Sequence, residues 1–111
     1  MFEFNNETIN VLHKNKAGFI IQCENCEQLY ISFGNIISHM SEEAFLNLYN
    51  ALNNISENID LYTYNINEEN KIIFNTPLNN LKLSFSLLEF NEIIEMINQA
   101  KLSLDIKKII N

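Results

Sequence analysis

Residues 28–55, QLYISFGNIISHMSEEAFLNLYNALNNI, contain the signals that decide the fold. Phe33-Gly34-Asn35-Ile36 has the form of a two-residue β-hairpin, with glycine at the first central position, as a type II′ turn requires. The cross-strand pairs in this register are Leu29 with Met40, Tyr30 with His39, Ile31 with Ser38, and Phe33 with Ile36. Five of the six residues on the Leu29 face are apolar, which predicts a half-buried antiparallel sheet.

Two amphipathic helices are predicted, each beginning at a serine cap. Ser41 precedes two glutamates that suit the positive end of a helix, and an apolar stripe follows at helical spacing. Ser86-Leu87-Leu88-Glu89 is a capping box. The pattern predicts helices over Ser41–Ile55 and Ser86–Lys101. The tail from Leu102 to Asn111 is compatible with an extension of the second helix or with a last edge strand.

Five further segments are predicted as strands. The first, Thr8–His13, has Ile9, Val11 and His13 on one side. A turn over KNKAG follows, in which Gly18 is free to adopt a positive φ. The other predicted strands are Phe19–Cys23, Asp60–Ile66, Lys71–Thr76 and Leu81–Phe85, with a polar turn over Asn67–Asn70 and a loop that Pro77 opens.

The two halves of the chain have a similar pattern. A shift of 45 residues aligns the segment from Asn35 with the segment from Asn80 without a gap, and it places Ser41 on Ser86 and Phe45 on Phe90. This suggests a strands-then-helix unit used twice, although any strand, cap and amphipathic helix would align comparably. Either origin predicts one α+β domain over residues 1–111, with an antiparallel sheet covered on one face by two helices.

Composition and charge exclude several classes of function. The net charge is −7, the chain contains no arginine, and nucleic-acid binding depends on lysine and arginine. No segment reaches the roughly 18 apolar residues of a membrane span, and the N-terminus lacks the pattern of a signal peptide. We expect a cytoplasmic protein that binds neither nucleic acid nor membrane.

Cys23-x-x-Cys26 is the one motif with recognisable chemistry. Two thiolates at a hairpin tip supply half of a structural zinc site, and His13 and His39 are the only histidines that could complete it. Geometry opposes both: His13 is placed at the far end of its hairpin from Cys23, and His39 is separated from Cys23 by a whole strand, roughly 10 Å. We therefore expect no resident cofactor, with zinc as the less favoured alternative.

Free structural thiols are the favoured interpretation of the two cysteines. A redox role is disfavoured because a reactive thiol is usually activated at a helix N-terminus, whereas this turn has Glu24 and Glu27 beside it. No nucleophile elbow, ordered triad or glycine-rich phosphate loop is present in the sequence. The expectation is a protein without catalytic residues.

The stretch GFIIQCENCEQLYISFGN followed by MSEEAF resembles a family of small, uncharacterised bacterial proteins. The shared pattern is an early histidine, a Gly-aromatic-Ile strand, Cys-x-x-Cys, a strand ending Phe-Gly-Asn and a Ser-Glu-Glu-x-Phe helix start. The resemblance implies a small cytoplasmic domain and no named activity. It favours the metal alternative through His13, Cys23 and Cys26, although no glycine follows Cys26.

The combined reading is a small acidic protein that acts by binding another protein, either a second copy or a more basic partner. One alternative is an immunity protein, antitoxin or phage-type inhibitor that masks a basic site, and another is a metal-binding domain at the Cys-x-x-Cys turn. The residues expected to be buried are Phe33, Ile36, Met40, Phe45, Leu48, Leu52, Phe85, Phe90, Ile93 and Ile97.

Overall fold

The computed structural model describes residues 9–23 and 27–110, which form two antiparallel sheets and three helices. Sheet 1 contains β1 (Ile9–Lys14), β2 (Gly18–Cys23), β3 (Gln28–Phe33) and β4 (Ile36–Ser41) in that order. Sheet 2 contains β5 (Thr63–Ile66), β6 (Glu69–Asn75) and β7 (Lys82–Phe85). The helices are α1 (Glu42–Glu57), α2 (Ile59–Tyr62) and α3 (Leu87–Ile110). The α+β class is confirmed, with the strands divided between two sheets.

The β3–β4 hairpin has the predicted register. Phe33 pairs with Ile36, Tyr30 with His39 and Leu29 with Met40. Gly34 has φ +54°, whereas Asn35 is not among the residues with positive φ, as a type II′ turn requires. The side chains of Leu29 and Ile31 are buried in the core, so this hairpin supplies the predicted apolar face of sheet 1.

Strand β1 contains a β-bulge that the alternating pattern did not predict. The register with β2 shifts between Val11 and His13, so Leu12 is the extra residue. Leu12 turns into the core, whereas Val11 is 63% exposed. The prediction that Ile9, Val11 and His13 share one face is therefore wrong, because the bulge moves His13 to the other face.

Both predicted caps are formed, and the segment after α1 differs from the prediction. The Ser41 hydroxyl accepts a hydrogen bond from the Ala44 N–H and begins α1. The predicted strand Asp60–Ile66 is wrong in its first half: Ile59–Tyr62 form the single turn α2, and β5 begins only at Thr63. This turn packs Ile59 and Tyr62 against the core together, which an extended chain does not do for residues three apart.

Helix α3 is the central element of the molecule. It contacts β1 and β2 of sheet 1, β6 and β7 of sheet 2, and helix α1. The tail extends this helix to Ile110, which settles the alternative between helix and edge strand. Its buried residues are Phe90, Ile93, Met96, Ile97, Ala100 and Leu104.

Most of the expected core is confirmed, with one error. Phe45, Leu52, Phe85, Phe90, Ile93 and Ile97 are buried, and Phe33, Met40 and Leu48 are half-buried against them. Ile36 is 41% exposed, contrary to the prediction. It lies at the tip of the hairpin on β4, an edge strand of sheet 1, where only one side is covered by a neighbouring strand.

The strands-then-helix unit occurs twice, as the alignment of the two halves predicted. Phe45 and Phe90, which the alignment superimposes, are both buried at the start of their helices. Asn53 and Asn98 are also 45 residues apart, and the Asn53 amide donates to the Asn98 side-chain oxygen at 3.0 Å. Equivalent positions of α1 and α3 therefore meet each other in the molecule.

Candidate functional site

The structure separates the residues that were considered as zinc ligands. His13 lies on the helix-covered face of sheet 1, where its Nε2 is 3.2 Å from a Glu95 carboxylate oxygen of α3. Cys23 and His39 lie on the opposite face. Cys23 is two residues from Ile21 on β2 and so shares its face, and Ile21 pairs with Tyr30, which pairs with His39. A single ion cannot be shared between His13 and the other two.

His39 and Cys23 are also apart on their own face. The row across the sheet is Ile21, Tyr30 and His39, with Cys23 two residues farther along β2. The His39 ring stacks obliquely on Tyr30 at 5.8 Å between centroids, and its Nδ1 is 3.5 Å from Gln28 Oε1. Within residues 9–23 and 27–110, no three His, Cys, Asp or Glu side chains are grouped as a metal site. Cys26 lies outside the described residues.

Cys23 is buried and disulfide-bonded, which differs from the expected free thiol. A disulfide sulfur has no thiolate to offer to zinc, so this arrangement does not support a metal site. Disulfides are also rare in a reducing cytosol.

We predict that the Cys23 thiol is unavailable until it is reduced. In denatured protein treated with iodoacetamide, the Cys23 peptide should be unmodified without dithiothreitol and alkylated after reduction. Native elemental analysis should find no stoichiometric zinc. Alkylation of Cys23 without reductant would contradict the disulfide, and zinc at one atom per chain would restore the metal alternative.

A polar cluster that the sequence did not predict joins β2, α1 and the C-terminal end of α3. The Gln22 side chain is 5% exposed, and its amide donates to Glu42 Oε1 at 2.8 Å. Lys107 donates to Gln22 Oε1 at 3.3 Å, and Lys108 lies 3.3 Å from Glu42 Oε2. The Gln22 amide nitrogen and oxygen are therefore both hydrogen-bonded within the protein, as buried polar groups usually are. The cluster connects the three elements and leaves no polar atom of Gln22 for a ligand.

Stability should fall at low pH because of Glu42. The hydrogen bond from Gln22, followed by Lys108, lowers the pKa of Glu42 below its ordinary value of 4.5. A carboxyl whose folded pKa is depressed contributes stability above the unfolded pKa, and that contribution is lost as the pH falls through the folded value.

The measurement is the urea midpoint of wild type and Glu42→Gln between pH 7 and pH 3. We expect the variant to be less stable at pH 7 and the difference to close below about pH 4. Glu43→Gln, one residue away and without a bond to Gln22, is the control and should follow the wild type. A gap between Glu42→Gln and wild type that stays constant down to pH 3 would contradict the assignment.

Strand β5 has two exposed apolar side chains, and exposed carboxylates occur in the segments before and after it. Tyr64 and Ile66 alternate on the outward face of this edge strand and are 53% and 48% exposed. Asp60, in α2, and Glu68, in the turn after β5, have exposed carboxylates with no hydrogen bond or ion pair within the described ranges. These four residues are called the β5 patch below.

The turn after β5 has an uncommon backbone. Asn67 has φ +52° and Glu68 has φ +69°, the two positive values of a type I′ hairpin turn. Asparagine tolerates this region, whereas glutamate is disfavoured there by about 1–2 kcal/mol. The turn places Glu68 two residues after Ile66, the last residue of β5.

A cleft of ≈430 Å³ lies between the two sheets, larger than cavities of ≈270 and ≈330 Å³ at the C-terminal end of α3. It is bounded by turn residues of sheet 1, by strand β7 and by the start of α3. We call it the inter-sheet cleft. Its lining residues are Lys16, Ala17, Phe33, Gly34, Asn35, Ile36, Leu83, Ser84, Phe85, Glu89, Glu92 and Ile93.

The charged residues that line the cleft are Lys16, Glu89 and Glu92. None of these three cavities is lined by His39 or Tyr30. The sequence did not predict the cleft, because Lys16, Phe33 and Phe85 come together only when sheet 2 packs beside the turns of sheet 1.

Comparison with known proteins places the chain in a family without assigning an activity. Within the described ranges, no helix combines the length and hydropathy needed to cross a bilayer. No curated protein and no solved structure matches the chain significantly. Residues 5–110, nearly the whole chain, match the Family of unknown function (DUF6686). The chain belongs to that family, as the resemblance to an uncharacterised family predicted.

Proposed function

We propose that this protein is a binding module that recognises a basic surface of another protein through the β5 patch. The observation that carries the proposal is the pair Tyr64 and Ile66, exposed side by side on an edge strand. Tyrosine is enriched at protein interfaces because its ring supplies contact area and its hydroxyl a polar contact. The proposal assigns no catalytic residue.

Charge indicates the chemistry of the partner. Asp60 and Glu68, the two carboxylates of the patch, have no partners of their own within the described ranges, whereas Glu69 forms an ion pair with Lys71 at 3.5 Å. The whole chain carries −7. Such a field speeds association with a basic surface and is weakened by salt. An inhibitor that masks a basic site would use this same contact, and the identity of the partner would distinguish it from an adaptor.

The test compares partners captured by wild type with those captured by a Tyr64→Thr, Ile66→Thr double variant. Threonine keeps the strand preference while it removes the apolar surface. Val11→Thr, a substitution of an exposed residue in sheet 1, is the matched control. We expect a lysine- or arginine-rich protein to be retained by wild type and control at low salt, and lost with the double variant or at high salt.

Two outcomes would reject this proposal. One is a partner that binds the double variant as well as it binds wild type. The other is the absence of any partner in extracts of the cells that make the protein. Fractionation of the same cells tests the proposed cytoplasmic location, together with the oxidation state of Cys23, because a persistent disulfide is unusual in that compartment.

A further inference from the structure

The second edge strand of sheet 2, β7, is open toward the inter-sheet cleft. Three consecutive residues of this strand, Leu83, Ser84 and Phe85, line the cleft. Successive side chains of a strand point to opposite faces, so a cavity that touches three in a row runs along the strand's edge rather than over one face. The cleft therefore borders the backbone of β7.

The outer backbone groups of β7 have no protein partner within the described ranges. β7 pairs with β6 on one side, and no other strand of sheet 2 lies beyond it. The backbone hydrogen bonds outside the sheets and helices involve none of Leu83, Ser84 or Phe85. An unpaired strand edge is a template for another extended chain.

The floor and rim of the cleft specify which side chains such a chain would carry. Phe33 and Phe85 are 5.7 Å apart between ring centroids, and together with the buried Ile93 they form an apolar floor. Lys16 and Glu92 lie on the rim, and neither charged group has a partner within the described ranges. Glu89 also lies on the rim, where one carboxylate oxygen accepts from the Ser86 N–H.

We propose that the inter-sheet cleft binds an extended segment of a partner protein, which adds a strand to the free edge of β7. β7 has four residues, so the segment spans about four residues, or roughly 13 Å. One apolar side chain rests on the Phe33–Phe85 floor, and a neighbouring basic side chain faces Glu92. A basic residue is favoured because the rim has two carboxylates, Glu89 and Glu92, and one ammonium group, Lys16. The net charge of the whole chain, −7, acts in the same direction.

This site is separate from the β5 patch and does not depend on it. β5 and β7 are opposite edges of sheet 2, with β6 between them. Binding at the cleft would stand if the β5 patch bound nothing, and loss of the Tyr64 and Ile66 side chains should leave it unchanged.

The test uses the synthetic peptide acetyl-Thr-Val-Lys-Val-Thr-amide and the ¹⁵N-labelled full chain. Addition of the peptide should shift the amide signals of β7 and of the Gly34–Ile36 turn, and should slow hydrogen exchange in β7. Peptides N-methylated at single amides lose a backbone donor, so methylation on the side that faces β7 should weaken binding roughly tenfold. A peptide with Glu in place of Lys should also bind more weakly.

Glu92→Gln tests the charged contact. This substitution should lower the affinity for the lysine peptide by about two- to fivefold, as expected for one exposed ion pair. The affinity for a peptide with Thr in place of Lys should not change. Glu43→Gln, on α1 and outside the cleft, is the control for net charge.

Three results would overturn the proposal. The first is no shift in β7 at millimolar peptide. The second is a set of shifts at Tyr64 and Ile66 instead, which would place strand addition at the other edge of sheet 2. The third is equal binding of every N-methylated peptide, which would mean that the cleft takes a side chain or small molecule without strand pairing.

Discussion

Gly18→Ala should destabilise the protein by more than about 4 kcal/mol, enough to unfold a large fraction of a domain of ordinary stability. Gly18 begins β2 with φ +156°, opposite Phe33 of β3. A Cβ atom added there would lie 1.7 Å from the Ser32 carbonyl oxygen and 2.7 Å from its carbon. These are backbone atoms of a paired strand, so the clash is relieved only by separating β2 from β3.

Gly34→Ala is the matched control, because it is also a glycine at a turn of sheet 1. Gly34 has φ +54°, and an added Cβ would have no atom within 4 Å. Its cost is therefore limited to the positive-φ backbone of the turn, about 1–3 kcal/mol for a residue other than glycine. Urea unfolding followed by circular dichroism measures both variants. Equal stability of the two would contradict the close approach of β2 and β3 at Gly18.

Phe90→Ala should cost about 3–5 kcal/mol, the range for removal of a fully buried phenylalanine. The Phe90 side chain is 0% exposed and lies 6.4 Å from the Phe85 ring, which in turn lies 5.7 Å from Phe33. This row of rings connects α3 and β7 with β3. Because the row crosses from sheet 2 to sheet 1, its loss should destabilise both sheets together.

Leu88→Ala is the control for Phe90→Ala. Leu88 belongs to the same turn of α3 but is 70% exposed, so its replacement should change the unfolding free energy by no more than about 0.5 kcal/mol. Hydrogen exchange of both sheets gives the spatial readout. The packing would be contradicted if Phe90→Ala cost less than 1 kcal/mol, or if only one sheet lost protection.

The binding surfaces could not be read from the sequence in the same way as the strands and caps. The absence of arginine and the acidic charge indicated a basic protein partner, but no residue of the chain was identified as its contact. Tyr64 belonged to a predicted strand without any sign that this strand lies at an edge of its own sheet. The free edge of β7 became visible only with the order β5-β6-β7.

Local signals alone determined the β3–β4 hairpin and the two helix starts. Gly34 supplies the positive φ of the turn, and the Ser86–Glu89 box closes with both hydrogen bonds, 2.8 and 3.1 Å long. The turn and both caps depend on residues three positions apart, so the interacting groups can be recognised within a short stretch of sequence.

Contacts across most of the chain decided the remaining structure. Ser103 donates to the Leu12 carbonyl, and Glu95 meets His13, over separations of 91 and 82 residues. Packing against α3 turns Leu12 inward at a bulge and brings His13 to the helix-covered face of sheet 1. Regular alternation along β1 would have placed His13 on the opposite face, with Val11. The tail is helical for the same reason, because the helix buries Leu104 in the core. The free energy gained by burying a leucine side chain exceeds a residue's intrinsic preference for helix or strand.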